Sequence, residues 1–201
     1  MAMIFDTMLA KGVRSGHIPA LTQNARDWYR KAAREHTNIN ETSFLKTADR
    51  DRFSNTVKIG NMYMFRYNAK YKNELPYWDM FPLIFPFKKV PGGFLGMNMH
   101  YLPLPYRAKL MDSLYDITND QAFDETTKLK LNYNLLNGAA KYRFFKPTVK
   151  HYLNDHLSSR LLYIYPAEWD MALFLPLERF RTDGNNRMSK EKVWAESKKN
   201  F

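Results

Sequence analysis

IGNMYMFRYNAKYKNELPYWDMFPLIFPFKKVPGGFLGMNMHYLPLP, residues 59–105, decides the fold. Three strand-like runs lie within it, Met62–Tyr67, Met80–Phe87 and Phe94–Leu102, with turn-forming residues between them. Aromatic and β-branched side chains suit a half-buried pleated surface, whereas Gly, Pro, Asn and Asp punctuate it. In the first run Tyr63, Phe65 and Tyr67 fall on one face and Met62, Met64 and Arg66 on the other. Pro82 and Pro86 cannot donate to a ladder, which assigns the second run to an edge or to a bulged strand of a strongly bent sheet. Pro91-Gly92-Gly93 is a turn needing unusual backbone angles, and Gly96 marks a bulge or a close approach. The expected fold class is α+β: a small, strongly bent antiparallel sheet, of the SH3-like split-barrel kind, flanked by several helices and by N- and C-terminal arms.

Outward from this block the sequence reads mainly as helix. Ile4–Leu9 is a short apolar helix in an arm that runs on through Gly12, Gly16 and Pro19. Thr22 caps a helix from Gln23 to Glu35, with Ala25, Trp28 and Ala32, and Tyr29 beside them, inward and Arg26, Arg30 and Arg34 as a basic stripe. A solvated face and a phosphate track both account for that stripe. Residues 36–58 are a polar connector with one helical turn around Phe44. Pro105 opens a helix over Tyr106–Ile117, and Asp124 caps another over Glu125–Tyr142. Pro147 starts a short helix through Leu157, while Leu161–Tyr165 and Met171–Leu175 read as strands. Lys190–Lys198 is weakly helical within a polar tail. The expected division is an arm, basic helix and connector (1–58), an α+β core (59–182) and a tail (183–201).

Composition bounds the chemistry. A chain of 201 residues is about one domain, long enough to hold a core without metal or disulfide. Cysteine is absent, which removes disulfides, thiolate catalysis and Cys-type zinc sites. The net charge of +11 suits an acidic partner, and it suits a merely solvated basic surface as well. No apolar run approaches the ~20 residues of a membrane helix, so no membrane partner is expected, and the N-terminus has no secretory pattern.

Few residues point to catalysis. His151 and His156 are five apart, which on a helix puts them on different faces, and no zinc-ligand spacing occurs. His100 sits among apolar residues, the usual setting of a hydrogen-bonded core histidine. Asp79, Glu168 and Asp170 are the carboxylates nearest predicted strands, and converging carboxylates are what a metal-dependent nuclease needs. No cofactor motif is present. The most suggestive stretch is KYRFFKPTVK, where Lys141, Arg143, Phe144, Lys146 and Lys150 mix cations with rings. Cations attract phosphates and exposed rings stack on unpaired bases, so these residues are the candidate nucleic-acid contacts, with Lys88 and Lys89 extending the patch. Lys190, Lys192, Lys198 and Lys199 in the tail could extend it further. A helix end with its rings in the core and its cations solvated accounts for the same residues.

The runs GNMYMFRY, LPYWDMFPLIFPF, GGFLGMNMHYLP and RAKLMDSLY, with EWDMALFLPLERF and the closing VWAESKK, resemble a family of small basic virion proteins of T-even-type myophages, the DNA end protectors. The resemblance covers the middle and C-terminal parts of the chain and carries no catalytic residue. It implies a non-enzymatic protein made in the host cytoplasm and assembled into the virion. There it would bind double-stranded DNA ends near the portal or neck and shield them from exonuclease. A tail or baseplate-hub adaptor, whose partners are other virion proteins, is the alternative, and a metal-dependent nuclease or packaging factor the third reading. The positive charge is spread along the whole sequence, which keeps the adaptor in view.

Overall fold

The computed structural model describes residues 3–141 and 143–199. Helices α1 (Ile4–Arg14), α2 (Gln23–Arg34) and α3 (Glu41–Thr47) come first. Strands β1 (Phe53–Ser54), β2 (Met62–Met64), β3 (Trp78–Asp79), β4 (Leu83–Val90) and β5 (Gly93–Asn98) follow. Helices α4 (Leu104–Asn119) and α5 (Glu125–Ala139) precede β6 (Val149–Leu153) and β7 (Leu161–Ile164). Then come α6 (Trp169–Phe174), β8 (Phe180–Arg181) and α7 (Lys190–Lys199). Six strands form an antiparallel sheet in the order β1-β7-β2-β4-β5-β6, and β3 pairs with β8 in a separate ribbon. The fold class is α+β.

The alternation of β2 sets the two faces of the sheet. Met62 and Met64 join Leu83, Phe85, Met97, Leu162 and Ile164 in the main core, which the helices cover. Phe5 and Met8 of α1, Tyr29 and Ala33 of α2, and Phe44 of α3 are buried there, so the N-terminal arm is docked. Tyr63, Phe65 and Tyr67 lie on the opposite face in a second, aromatic cluster with Ile84, Phe94 and Tyr152. Pro86 does not put β4 at an edge. It pairs with Gly96 in the sheet interior, and a register shift between Pro86 and Lys88 takes up the missing donor as a bulge.

Helix starts follow local chemistry. Thr22 Oγ1 accepts from the Ala25 N–H at 3.2 Å, and Asp124 Oδ1 accepts from the Thr127 N–H at 2.8 Å. Asn40 Oδ1 accepts from Thr42 and Ser43, which opens α3 in the stretch expected to be a connector with one turn.

Several expectations fail for physical reasons. Residues 149–153 are strand rather than helix, because Tyr152 stacks on Phe94 across the ladder at 5.6 Å and the run alternates sides. Residues 171–175 are mostly helix rather than strand. The run is buried on all sides, so it has no period to read, and the Glu168 carboxylate accepts from the Tyr165 N–H just before it, closing the turn that leads into α6. Finally, Arg26 and Arg30 are no solvated stripe. Arg30 reaches Asp170 and Asp112 at 2.6 Å each, and Arg26 faces Asp112 and Asp116. Ala25 and Tyr29 are buried as expected, whereas Trp28 and Ala32, also expected inward, are only half-buried and Ala33 takes a core position. The polar tail is also docked, since Val193 is buried against Tyr101 and Phe180, and Trp194 Nε1 donates to the His100 carbonyl at 2.9 Å.

Candidate nucleic-acid interface

β6 is an edge strand, and the segment leading into it carries most of the candidate cations. Lys141 and Lys146 are exposed before the strand and Lys150 is half-buried within it. Lys88 and Lys89 are exposed near the tip of the adjoining β4–β5 hairpin. Lys89 pairs with Phe94 and Phe94 with Tyr152, which sets Lys89 on the face that carries Tyr152 and Lys150. The side chains of Arg143 and Phe144 lie outside the described residues. Two of the four tail lysines considered, Lys192 and Lys199, are exposed, while Lys190 reaches Glu178 at 3.5 Å.

Lys150 has an unusual setting. Its Nζ sits 4.1 Å from the centroid of the Tyr101 ring, and among the described residues no carboxylate pairs with it. Burial pushes its ammonium down to about 8, since the charged form gives up water without gaining an anion. Beside it opens a depression of about 300 Å³ between residues 67–79, the turn Met99–Tyr101 and β6. Tyr67, Tyr71, Tyr77, Trp78, Tyr101 and Tyr152 supply rings to its wall, and Lys70 joins Lys150 as a second cation. Tyr71 is 53% exposed, and Lys70 Nζ lies 5.3 Å from its ring centroid.

Asp79 also lines the depression, but its charge is already engaged. Oδ2 accepts from Asn98 at 3.0 Å and contacts His100 Nδ1 at 2.7 Å, while Oδ1 accepts from the Phe81 and Arg179 N–H groups. Asn98 donates in turn to the Tyr152 hydroxyl at 3.1 Å. Burial holds the Tyr101 and Tyr152 phenols well above their ordinary range, so both stay protonated. Behind this wall Arg107, fully buried, donates to the carbonyls of Leu102, Leu173 and His100 and to Glu178 at 2.8 Å.

The carboxylates considered for a nuclease are committed elsewhere. Glu168 takes a two-pronged contact from Arg52 at 2.7 and 2.8 Å, and Asp170 is held by Arg30. Among the described residues no group of three or more His, Asp or Glu is placed to hold a metal.

Lys70, Tyr71 and Tyr101 were not among the residues singled out from the sequence. The signal for the first two was present, because Lys70-Tyr71-Lys72 repeats the cation–ring alternation of KYRFFK. Tyr101 carried no such signal, since only the fold brings it under Lys150.

The fold and this surface define an α+β protein that presents, around an aromatic depression, lysines with no carboxylate partner among the described residues. A family model described as the phage T4 terminal DNA protecting protein matches residues 19–197, and the chain belongs to that family. No curated protein and no solved structure matches it.

Proposed function

We propose that this chain is a non-enzymatic virion protein that binds the ends of packaged double-stranded DNA near the portal or neck. The observation that carries this reading is a division of charge. Arg26, Arg30, Arg52 and Arg107 are buried in ion pairs, whereas Lys70, Lys88, Lys89, Lys141, Lys146 and Lys150 surround one edge of the sheet with no carboxylate partner among the described residues. Unpaired cations along an edge are suited to successive phosphates, and the family description supplies the DNA terminus as the target. A protein built this way protects by occupying the end, and it needs no chemical step.

Contacts with other virion proteins belong to the same reading. Val13, Ile18 and Leu21 are 57%, 59% and 52% exposed around the α1–α2 turn, an apolar surface of the kind used between proteins.

The test is fluorescence anisotropy on a blunt linear duplex across a salt series, with closed-circular DNA as competitor. Preference for the linear duplex, with affinity falling steeply as salt rises, is the expected result. Equal competition by circular DNA would reduce the protein to a generic basic binder. Absence of binding at low salt would transfer the argument to a tail or baseplate adaptor.

A further inference from the structure

Resting on that reading, we infer that the depression beside Lys150 receives the last nucleotide of one DNA strand, base and phosphate together. The argument is one of size, lining and charge. A volume of about 300 Å³ sits at the small end of ligand pockets, the scale of a single nucleotide rather than of a duplex. Its wall is built of rings, and one of them, Tyr71, stands at the mouth, more than half exposed. Bases of any identity stack on aromatic side chains, so such a wall reads an end without reading its sequence.

The phosphate partner is what Lys150 lacks. A half-buried ammonium with only the Tyr101 ring beneath it carries an uncompensated desolvation cost. A phosphate on the same nucleotide, gripped by Lys150 within the pocket and by Lys70 at its mouth, would supply the missing anion. Asp79 does not oppose this, because four donors already surround its carboxylate. Interior base pairs cannot enter, since their bases are stacked and paired on both sides. A terminal pair frays at far lower cost, which makes the pocket an end detector.

The experiment uses the full chain and a duplex closed at one end by a hairpin, with 5-iododeoxyuridine at the last position of the open end. A second duplex carries the same base at mid-length, and a third is closed at both ends. Long-wavelength irradiation followed by peptide mapping should crosslink the terminal base to Tyr71, Tyr101 or Tyr152 and leave the mid-length base without a pocket crosslink. Tyr71→Ser, a change at an exposed ring, and Lys150→Met should each weaken binding to the open end roughly tenfold. Tyr71→Ser should leave affinity for the doubly closed duplex unchanged, and Lys150→Met should lower it far less than it lowers open-end affinity. Open ends with and without a 5′-phosphate decide which strand end supplies the anion. If the wild-type protein prefers open ends but crosslinks elsewhere, or both variants bind open ends normally, the pocket is overturned and end binding stands. If the wild-type protein shows no preference for open ends, both fall together.

Discussion

Lys150 carries two opposed consequences of one placement. Its folded-state value of about 8 lies below the ordinary 10.5, so the fold disfavours the charged form. The cost is absent above 10.5, builds as pH falls toward 8 and is constant below. Lys150→Met removes that cost, worth about 3 kcal/mol at pH 7, and gives up a cation–ring contact of about 1 kcal/mol. The variant should therefore unfold at the same or a higher temperature than the parent while holding DNA ends more weakly, as thermal melts beside anisotropy would show. A phosphate at the ammonium reverses the shift, so binding takes up a proton. Affinity for a blunt end should be level below pH 8 and fall between pH 8 and 10, and Lys150→Met should flatten that fall. The titratable groups that line the depression with Lys150 are Tyr67, Lys70, Tyr71, Tyr77, Asp79, Tyr101, His151 and Tyr152. Burial pushes the Tyr67, Tyr101 and Tyr152 phenols up, and the comparison with the Met variant isolates the share of the fall that belongs to Lys150. A fall in affinity that persists in the Met variant would assign it to the exposed lysines instead.

At the scale of elements, β6 holds Lys150 in place and depends on a glycine to do so. A Cβ on Gly93 would stand 2.0 Å from the Tyr152 carbonyl oxygen, a backbone atom that cannot swing aside, and Gly92 takes the positive φ of 74° that completes the turn. Gly93→Ala should cost about 2–3 kcal/mol of stability. Amide exchange over Val149–Leu153 should rise first. Uniform loss of protection across the chain would mean that β6 is no independent edge. The same strand shows how far the sequence can be read. β2, in the same sheet, was legible because methionine and aromatic residues alternate along it, and the two faces that this alternation defines are the two observed clusters. β6 was not, because Pro147 gives a local helix-start signal while the partner that overrides it, Phe94, is remote in the sequence. The arginines of α2 misled for the same reason, since the carboxylates that neutralise them lie on α4 and α6. Of the candidate site, five of the six lysines around β6 were singled out from the sequence, but the pocket was not, because its walls come from three separate stretches.

For the whole molecule, the net charge of +11 is not a uniform coat. The core spends its positive charge on pairs that tie remote elements together, and Arg107 with Glu178 is one of them. Burial alone would raise the Glu178 carboxyl, but Arg107 first, with His100 and Lys190, holds it at about 2, against an ordinary 4.5. That pair stabilises fully above pH 4.5 and is lost as pH falls through 2, a contribution of about 3 kcal/mol. Glu178→Gln should accordingly lower the melting temperature at pH 7 and narrow the gap to the parent as the buffer approaches pH 2. The lysines left over form the surface available to DNA. If all six around β6 meet phosphates, the logarithm of affinity should fall against the logarithm of salt with a slope of about −5. Lys141→Glu and Lys146→Glu, both at exposed positions, should each reduce that slope by about 1 and weaken open-end and closed duplexes alike. Phosphate contacts that run along the duplex carry no information about where it stops. End preference must then survive these two changes and disappear only when the pocket is altered, so the pair of variants separates holding DNA from recognising its terminus. A loss of end preference in Lys141→Glu or Lys146→Glu would place recognition in the electrostatic track itself.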